Sequence, residues 1–452
     1  MRPAPSKDPD AKPKLLRQVG LFDATMLVMG GIVGAGIFIN PYVVARQVHT
    51  PLLILGAWVA GGLIALLGAF VYAELADHMP DVGGQYAYLR AAFHPAAGFL
   101  YGWVLLLVIQ TGGMAAVTVT FARYFVELTG LQASDRAIAL VALVILTWIN
   151  CMGVKIGSRV QSVLMVAKIV AIAMLVTAGL FLVRAPHSIL DNLLEQGGSW
   201  GQLSDFGAAM VPVLFAYGGW QTANFVAGEI KDPRRNLSRA LLIGVAGVIA
   251  LYVSVNIVCL RALGPDGLAA TTVPATSVMR VALGAPGVKF IALAIAVSSV
   301  GFLSQSILTA PRVYFAMAED GLFFRSVGTV NARTHVPVAA IVLQSVWTAV
   351  IALSGRYEQI LNYVVSMDFL FFGLTAATLF VFRGRGHSGE TVGYRVPGHP
   401  VTTVLFIGSC WAVVANTIYK YPENSLLGMA ILALGLPVYA FWSRRTAGAT
   451  TK

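Results

Sequence analysis

Charge is scarce in this chain. Only 11% of its 452 residues are Asp, Glu, Lys or Arg, while 57% are hydrophobic. Soluble domains carry about 25% charged residues, so a water-soluble globule is excluded and a multi-pass membrane protein is indicated. Cysteine is nearly absent. Cys151, Cys259 and Cys410 lie apart inside apolar runs, which rules out a disulfide framework and a thiolate metal site. The seven histidines (His49, His78, His94, His187, His335, His387 and His399) are scattered near loops without metal-ligand spacing. HExxH and a pair of intramembrane aspartates are both missing, so the chain reads as no enzyme and as needing neither metal nor cofactor. Acids are outnumbered, 20 against 31 Lys and Arg, and the net charge is +11. In a membrane protein such an excess belongs to cytoplasmic loops, and no nucleic-acid partner is implied.

What the chain does have is long apolar stretches. Bounded by charge or by Pro/Gly clusters, they predict about twelve all-α spans near 20–47, 51–79, 95–129, 136–153, 158–184, 204–230, 237–262, 288–318, 337–354, 358–383, 401–420 and 424–443. The polar, Pro-rich residues 1–19 read as a retained cytoplasmic tail with no small-residue cleavage site, and 444–452 as a second tail. With the N-terminus inside, most of the 31 basic residues fall in inside loops, which supports an even number of spans in the cell membrane with both termini cytoplasmic.

Two of the spans are interrupted by glycine. Gly30, Gly31, Gly34 and Gly36 break the first at GIVGAGIF (31–38), and Gly218 and Gly219 break the sixth at FAYGGW (215–220). Backbone freed at membrane depth must line a cavity or bind something, and the start of a new half-helix offers N–H groups to an anion. Two such breaks are the sequence pointer to the binding site of a secondary transporter. If residues 201–384 repeat 20–200 upside down, with 385–443 added, the breaks face each other near midplane.

These motifs resemble the amino acid–polyamine–organocation transporter superfamily. GIVGAGIF matches its glycine element in span 1. YAELADHMPDVGGQYAYL (72–89), Lys168, FAYGGWQTANFVAGEIKDPRRNL (215–237) and APRVYFAMAEDGLFFRSV (310–327) follow in order. The span 6 string is similar to the L-type amino acid transporter branch. The resemblance covers about residues 15–445 and implies the leucine-transporter fold, five helices plus five inverted plus two, with helices 1 and 6 unwound at midplane. It also implies alternating-access transport of L-amino acids. Animal L-type transporters attach a heavy subunit through a cysteine between spans 3 and 4. The loop here (127–136) has none, so no disulfide-linked partner is expected. Ala35 stands where the family has serine.

By the same resemblance the N–H groups of Ala35, Gly36 and Ile37 hold the substrate carboxylate, and the carbonyls of Ile32, Phe215, Ala216 and Gly218 its ammonium. Close helix packing is the competing role for these glycines. Tyr217, Trp220, Gln221 and Asn224 are candidates for the pocket or its gates, and Gln110, Thr111, Gly112 and Gly113 face the same cavity if span 3 packs beside the breaks. Lys168 is the one basic residue placed inside a span. The resemblance gives it the place of a sodium ion, bridging the first break to span 8 with Ser306 or Ser304 as hydroxyl partner. Snorkelling to the inner face and proton carriage are the other readings. Asp368, in an apolar stretch, is either functional or a partner for a polar group on a neighbouring helix. Glu229, Asp232, Arg234 and Arg235 read as a cytoplasmic loop, either one that couples the halves or pairs electrostatically or one of solvated charge. No acid stands near either break in the sequence, which points away from cationic substrates. The expected function is sodium-independent exchange of neutral L-amino acids, with proton-coupled symport as the alternative and an amino-acid receptor as a remote one.

Overall fold

In the computed structural model, residues 15–183, 200–354, 357–385, 393–420 and 422–450 are described. Most of the expected N-terminal tail, His187, His387 and the last two residues of the chain lie outside them. Among the described residues the secondary structure is helical, with one isolated parallel bridge between Val19 and Ile230 and no strand.

The first interrupted segment forms α1 (Leu21–Ile32) and α2 (Gly36–Val48), bent by 41° across the break. α3 (Pro51–His78) starts where Thr50 Oγ1 accepts from Leu53 N–H, with Pro51 in the first turn, where a missing N–H costs nothing. A short α4 (Gln85–Ala92) leads to α5 (Pro95–Val104), which continues through a π turn at Leu105–Ile109 into α6 (Gln110–Thr129). Then come α7 (Asp135–Cys151), capped by Ser134, and α8 (Val154–Phe181). The second interrupted segment is α9 (Trp200–Tyr217) followed by a tight helical run over Trp220–Glu229. Next are α10 (Pro233–Ala270), α11 (Pro274–Leu283), α12 (Ala285–Thr309), α13 (Pro311–Glu319), a single turn at Arg325–Gly328, α14 (Val338–Ser354), α15 (Tyr357–Gly384), α16 (Val401–Lys420) and α17 (Pro422–Thr450).

Eight helical segments among the described residues are long and apolar enough to cross a membrane, or nine if the bent α1–α2 pair is one span. Large apolar side chains such as Val144, Trp148, Val163, Phe181 and Leu426 lie exposed, as they would against lipid. The expected span 237–262 starts four residues late, since α10 begins at Pro233, and ends next to the kink at Gly264, whose φ is +69°; a further short helical stretch then runs on to Ala270.

α1 is buried at the centre, against α8, α10 and the run after α9. Its floor is tied down by backbone: Gln18 and Val19 N–H donate to the Glu229 carbonyl (2.9 and 3.0 Å), and Lys231 N–H donates to the Val19 carbonyl (2.9 Å). Beside this clasp, Arg312 of α13 meets Glu229 through Nε–Oε1 (2.5 Å) and Nη2–Oε2 (3.1 Å), both side chains fully buried. Glu229 is therefore ion-paired in the core, the electrostatic one of its two readings, and is not solvated loop charge.

Candidate substrate site between two helix breaks

The first break is a gap of three residues. α1 ends at Ile32, Val33 turns to an extended ψ of 93°, and α2 restarts at Gly36. The leading N–H groups of α2 lack intrahelical partners, as at every helix start. The second break follows Tyr217. Gly219 takes a φ of +101°, a conformation that favours glycine, and its N–H donates to Gln221 Oε1 at 3.1 Å. Thr222 Oγ1 donates back to the Gly219 carbonyl (2.6 Å) and accepts from Gln305 Nε2 of α12 (2.5 Å).

The breaks touch. A Cβ placed on Gly31 would lie 2.5 Å from the Gly219 carbonyl oxygen, so the backbones meet with no side chain between them. Tyr252 of α10 ties them from behind. Its hydroxyl donates to a pair of carbonyls shared between the breaks, Ile32 (3.0 Å) and Ala216 (3.2 Å).

On the α2 side of this contact lies a cavity of about 290 Å³. Of the residues predicted for the site, Ile32, Ala35, Gly36, Phe215, Ala216, Gly218, Gln221 and Ser306 line it, together with Gln110 and Gly113 of α6. Ile37 sits with its side chain in the core, so only its backbone is at issue. Tyr217 and Trp220 are placed behind the second break and away from the cavity. Tyr217 packs on Trp58 and Tyr252, and Trp220 on Tyr72, Phe372 and Phe406. Thr111 turns inward to the Leu106 carbonyl (2.6 Å) across the π turn, and Asn224 Nδ2 donates to the Gln221 carbonyl (3.1 Å).

Lys168 of α8 is buried, and its Nζ donates to the Val33 carbonyl inside the first break at 2.6 Å. This replaces snorkelling as the description of its position. Among the described residues its expected hydroxyl partners, Ser306 and Ser304, make no hydrogen bond to it. Ser306 lines the cavity, Ser304 Oγ is buried with no hydrogen-bond partner among the described residues, and Ser298 donates to the Gly34 carbonyl, next to Val33, at 3.1 Å. Ser298 and Ser306 are eight residues apart on α12, about 12 Å along the axis, so only one of them reaches this carbonyl ladder. A second correction concerns charge. The sequence puts no acid beside either break, yet α15 carries Asp368 to the wall of the same cavity.

Tyr252, Thr222, Gln305 and Ser298 are contributions that sequence reasoning missed. Each is a common polar residue in an apolar helix, and only packing shows that it faces a break. Among the described residues no group of three His, Cys, Asp or Glu could hold a metal ion.

A polytopic helical bundle whose two glycine breaks meet beside a cavity that both of them line defines a membrane transport protein. The amino acid permease family model matches residues 19–435, and the chain belongs to that family. It is 29% identical over 450 residues to the large neutral amino acids transporter small subunit 2 of Mus musculus, covering 95% of this chain and 82% of the relative. It is 30% identical over 439 residues to the serine/threonine exchanger SteT of Bacillus subtilis (strain 168), covering 96% and 98%. To the Asc-type amino acid transporter 1 of Mus musculus the identity is 28% over 442 residues, covering 95% and 82%.

Proposed function

We propose that this protein exchanges neutral L-amino acids across the cell membrane by alternating access, without sodium, and with both termini cytoplasmic. The carrying observation is the single cavity walled by both helix breaks. A zwitterion needs an anion site and a cation site a few ångströms apart, and two interrupted helices supply both from backbone. The free N–H groups at Ala35, Gly36 and Ile37 meet the carboxylate, where the helix dipole favours negative charge. The carbonyls of Ile32, Phe215, Ala216 and Gly218 meet the ammonium. Tyr252 occupies one lone pair of the Ile32 and Ala216 oxygens and leaves the other to the ligand. The names of the relatives, an exchanger of serine and threonine and a transporter of large neutral amino acids, agree with this reading.

On this reading the chain has twelve spans, with residues 20–200 and 201–384 as inverted halves and 385–443 appended. The cavity then opens outward, since it lies on the α2 side while the α1 side is shut by the Gly31–Gly219 contact, the Val19–Ile230 clasp and the Glu229–Arg312 pair. Lys168 is a fixed cation in the first break, doing what a bound sodium ion would otherwise do for the Val33 carbonyl.

One observation favours a second reading, proton-coupled symport. The Lys168 ammonium lies on a carbonyl with no carboxylate in ion-pair contact among the described residues, and such a group can release a proton. Uptake of labelled alanine into proteoliposomes separates the two. Exchange requires strong stimulation by internal unlabelled amino acid and no loss when choline replaces sodium. Uptake into empty vesicles that rises with an inward proton gradient would establish symport instead.

A further inference from the structure

The exchange reading leaves one group on the cavity wall unused. Asp368 lies in α15 and, among the described residues that line the cavity, is the one ionisable side chain. Its Oδ1 is buried and has no hydrogen-bond partner among the described residues. Buried polar atoms are almost always partnered, and acids at membrane depth that face a cavity mark the path of what passes through. Its neighbours Val364, Val365 and Phe369 and the facing Phe302 are apolar, and the polar side chains elsewhere on the wall, Asn40, Gln110 and Gln305 among them, leave Oδ1 without a donor. The backbone breaks already account for the carboxylate and ammonium that every amino acid carries. What remains to meet Asp368 is the part of the substrate that varies.

We propose that Asp368 is the side-chain subsite of this cavity and accepts a hydrogen bond from a donor at the end of a short substrate side chain. The substrates it selects are small amino acids whose side chain ends in hydroxyl or ammonium rather than methyl, which widens the neutral class of the exchange reading by one cationic donor. The inference rests on the exchange reading, because it uses the breaks to orient the substrate and deepens that reading by naming the side-chain class. A methyl group in the same place strips the carboxylate of water and gives it no donor. Hydrogen bonds to charged groups are strong enough that the discrimination should be about tenfold or more.

The test uses three amino acids that differ in one terminal group: serine, 2,3-diaminopropionate and 2-aminobutyrate. Each competes against labelled alanine for uptake into alanine-loaded proteoliposomes of the full-length protein. In the wild type, serine and 2,3-diaminopropionate should inhibit at concentrations about tenfold or more below that of 2-aminobutyrate. Asp368→Leu should reverse the order. Asp368→Asn keeps an acceptor oxygen, so it should retain the preference for serine and lose the advantage of the ammonium. Equal inhibition by serine and 2-aminobutyrate in the wild type overturns the proposal, whatever the variants do. So does an unchanged ratio in Asp368→Leu. If alanine never accumulates, the exchange reading fails on its own. The same three ligands are then ranked by thermal shift of the detergent-solubilised wild type and Asn variant, where the same order supports the subsite and a flat order removes it.

Discussion

Gly31 and Gly219 meet backbone to backbone at the crossing of the two broken helices. A Cβ on Gly31 would stand 2.5 Å from the Gly219 carbonyl oxygen, and one on Gly219 would run into the Gly31 carbonyl. The contact closes the α1 side of the cavity and sets the spacing of the carbonyls that Tyr252 bridges. Gly219→Ala meets two obstacles, the collision and a φ of +101° that a Cβ disfavours. Both it and Gly31→Ala should abolish uptake and lower the unfolding temperature. Gly113 lines the same cavity, but a Cβ there meets nothing within 4 Å. Gly113→Ala should therefore keep the wild-type unfolding temperature while uptake of bulky substrates falls more than uptake of alanine. Paired thermal scans and transport assays of the three variants check this.

Lys168 and Gly301 make a sharper test of the coupling cation than deleting the lysine. A Cβ on Gly301 would lie 2.5 Å from Lys168 Cε and 2.9 Å from Nζ, on the face of α12 that looks at the first break. Gly301→Ala leaves the ammonium in the protein but pushes it off the Val33 carbonyl. If that contact holds the break in shape, Gly301→Ala should cut exchange by about tenfold or more, equivalent to some 1.4 kcal/mol. Lys168→Met should do the same. Wild-type exchange in Gly301→Ala would detach Lys168 from the transport step.

Tyr252 contributes a single hydroxyl to two carbonyls, so Tyr252→Phe removes that group and leaves the ring packed on Trp58 and Tyr217. The expected loss of stability is about 1 kcal/mol, the ordinary net worth of a buried hydrogen bond. The functional effect should exceed the structural one. With their donor gone, the Ile32 and Ala216 oxygens are free to reorient, and KM for alanine should rise several-fold while the maximal rate changes little. A rate loss with unchanged KM would place Tyr252 in the conformational step instead.

The parts of this architecture legible in the sequence were those written in composition. Scarce charge and apolar length announced the bundle, and glycine clusters at 30–36 and 218–219 marked both breaks because glycine is costly in an apolar helix without a backbone reason. Facing direction was not legible. α10, α12 and α15 are apolar on nearly every side, so nothing in their residue order separates lipid from cavity; Tyr252 and Gln305 looked like any polar residue in a span, and Asp368 stood out as an acid without showing which way it faced. Ser298 went unnoticed for the same reason. Tyr217 and Trp220 lie close to the second glycine pair in sequence, yet the turn at Gly219 sends both rings into the packing behind it.

Glu229 and Arg312 lie far apart in sequence, one after the second break and one at the start of α13, and they form a bidentate pair with no exposed surface on the α1 side of the cavity. Arg312 Nη1 also donates to the Leu308 carbonyl (2.6 Å), and the Glu229 backbone carbonyl holds Gln18 and Val19. Removing one partner strands a buried charge, at a cost of about 3–5 kcal/mol, whereas replacing both by apolar residues is often nearly neutral. Arg312→Met and Glu229→Leu should each unfold well below the wild type, and the double variant should recover most of the loss. Transport should not recover with it. Alternating access requires the α1 side to open and close again, and an apolar seam closes without the directional bidentate geometry that registers α13 against the second break. Thermal scans of the four proteins, set beside their exchange rates, check both halves. A double variant that regains stability and full exchange would make the pair structural only.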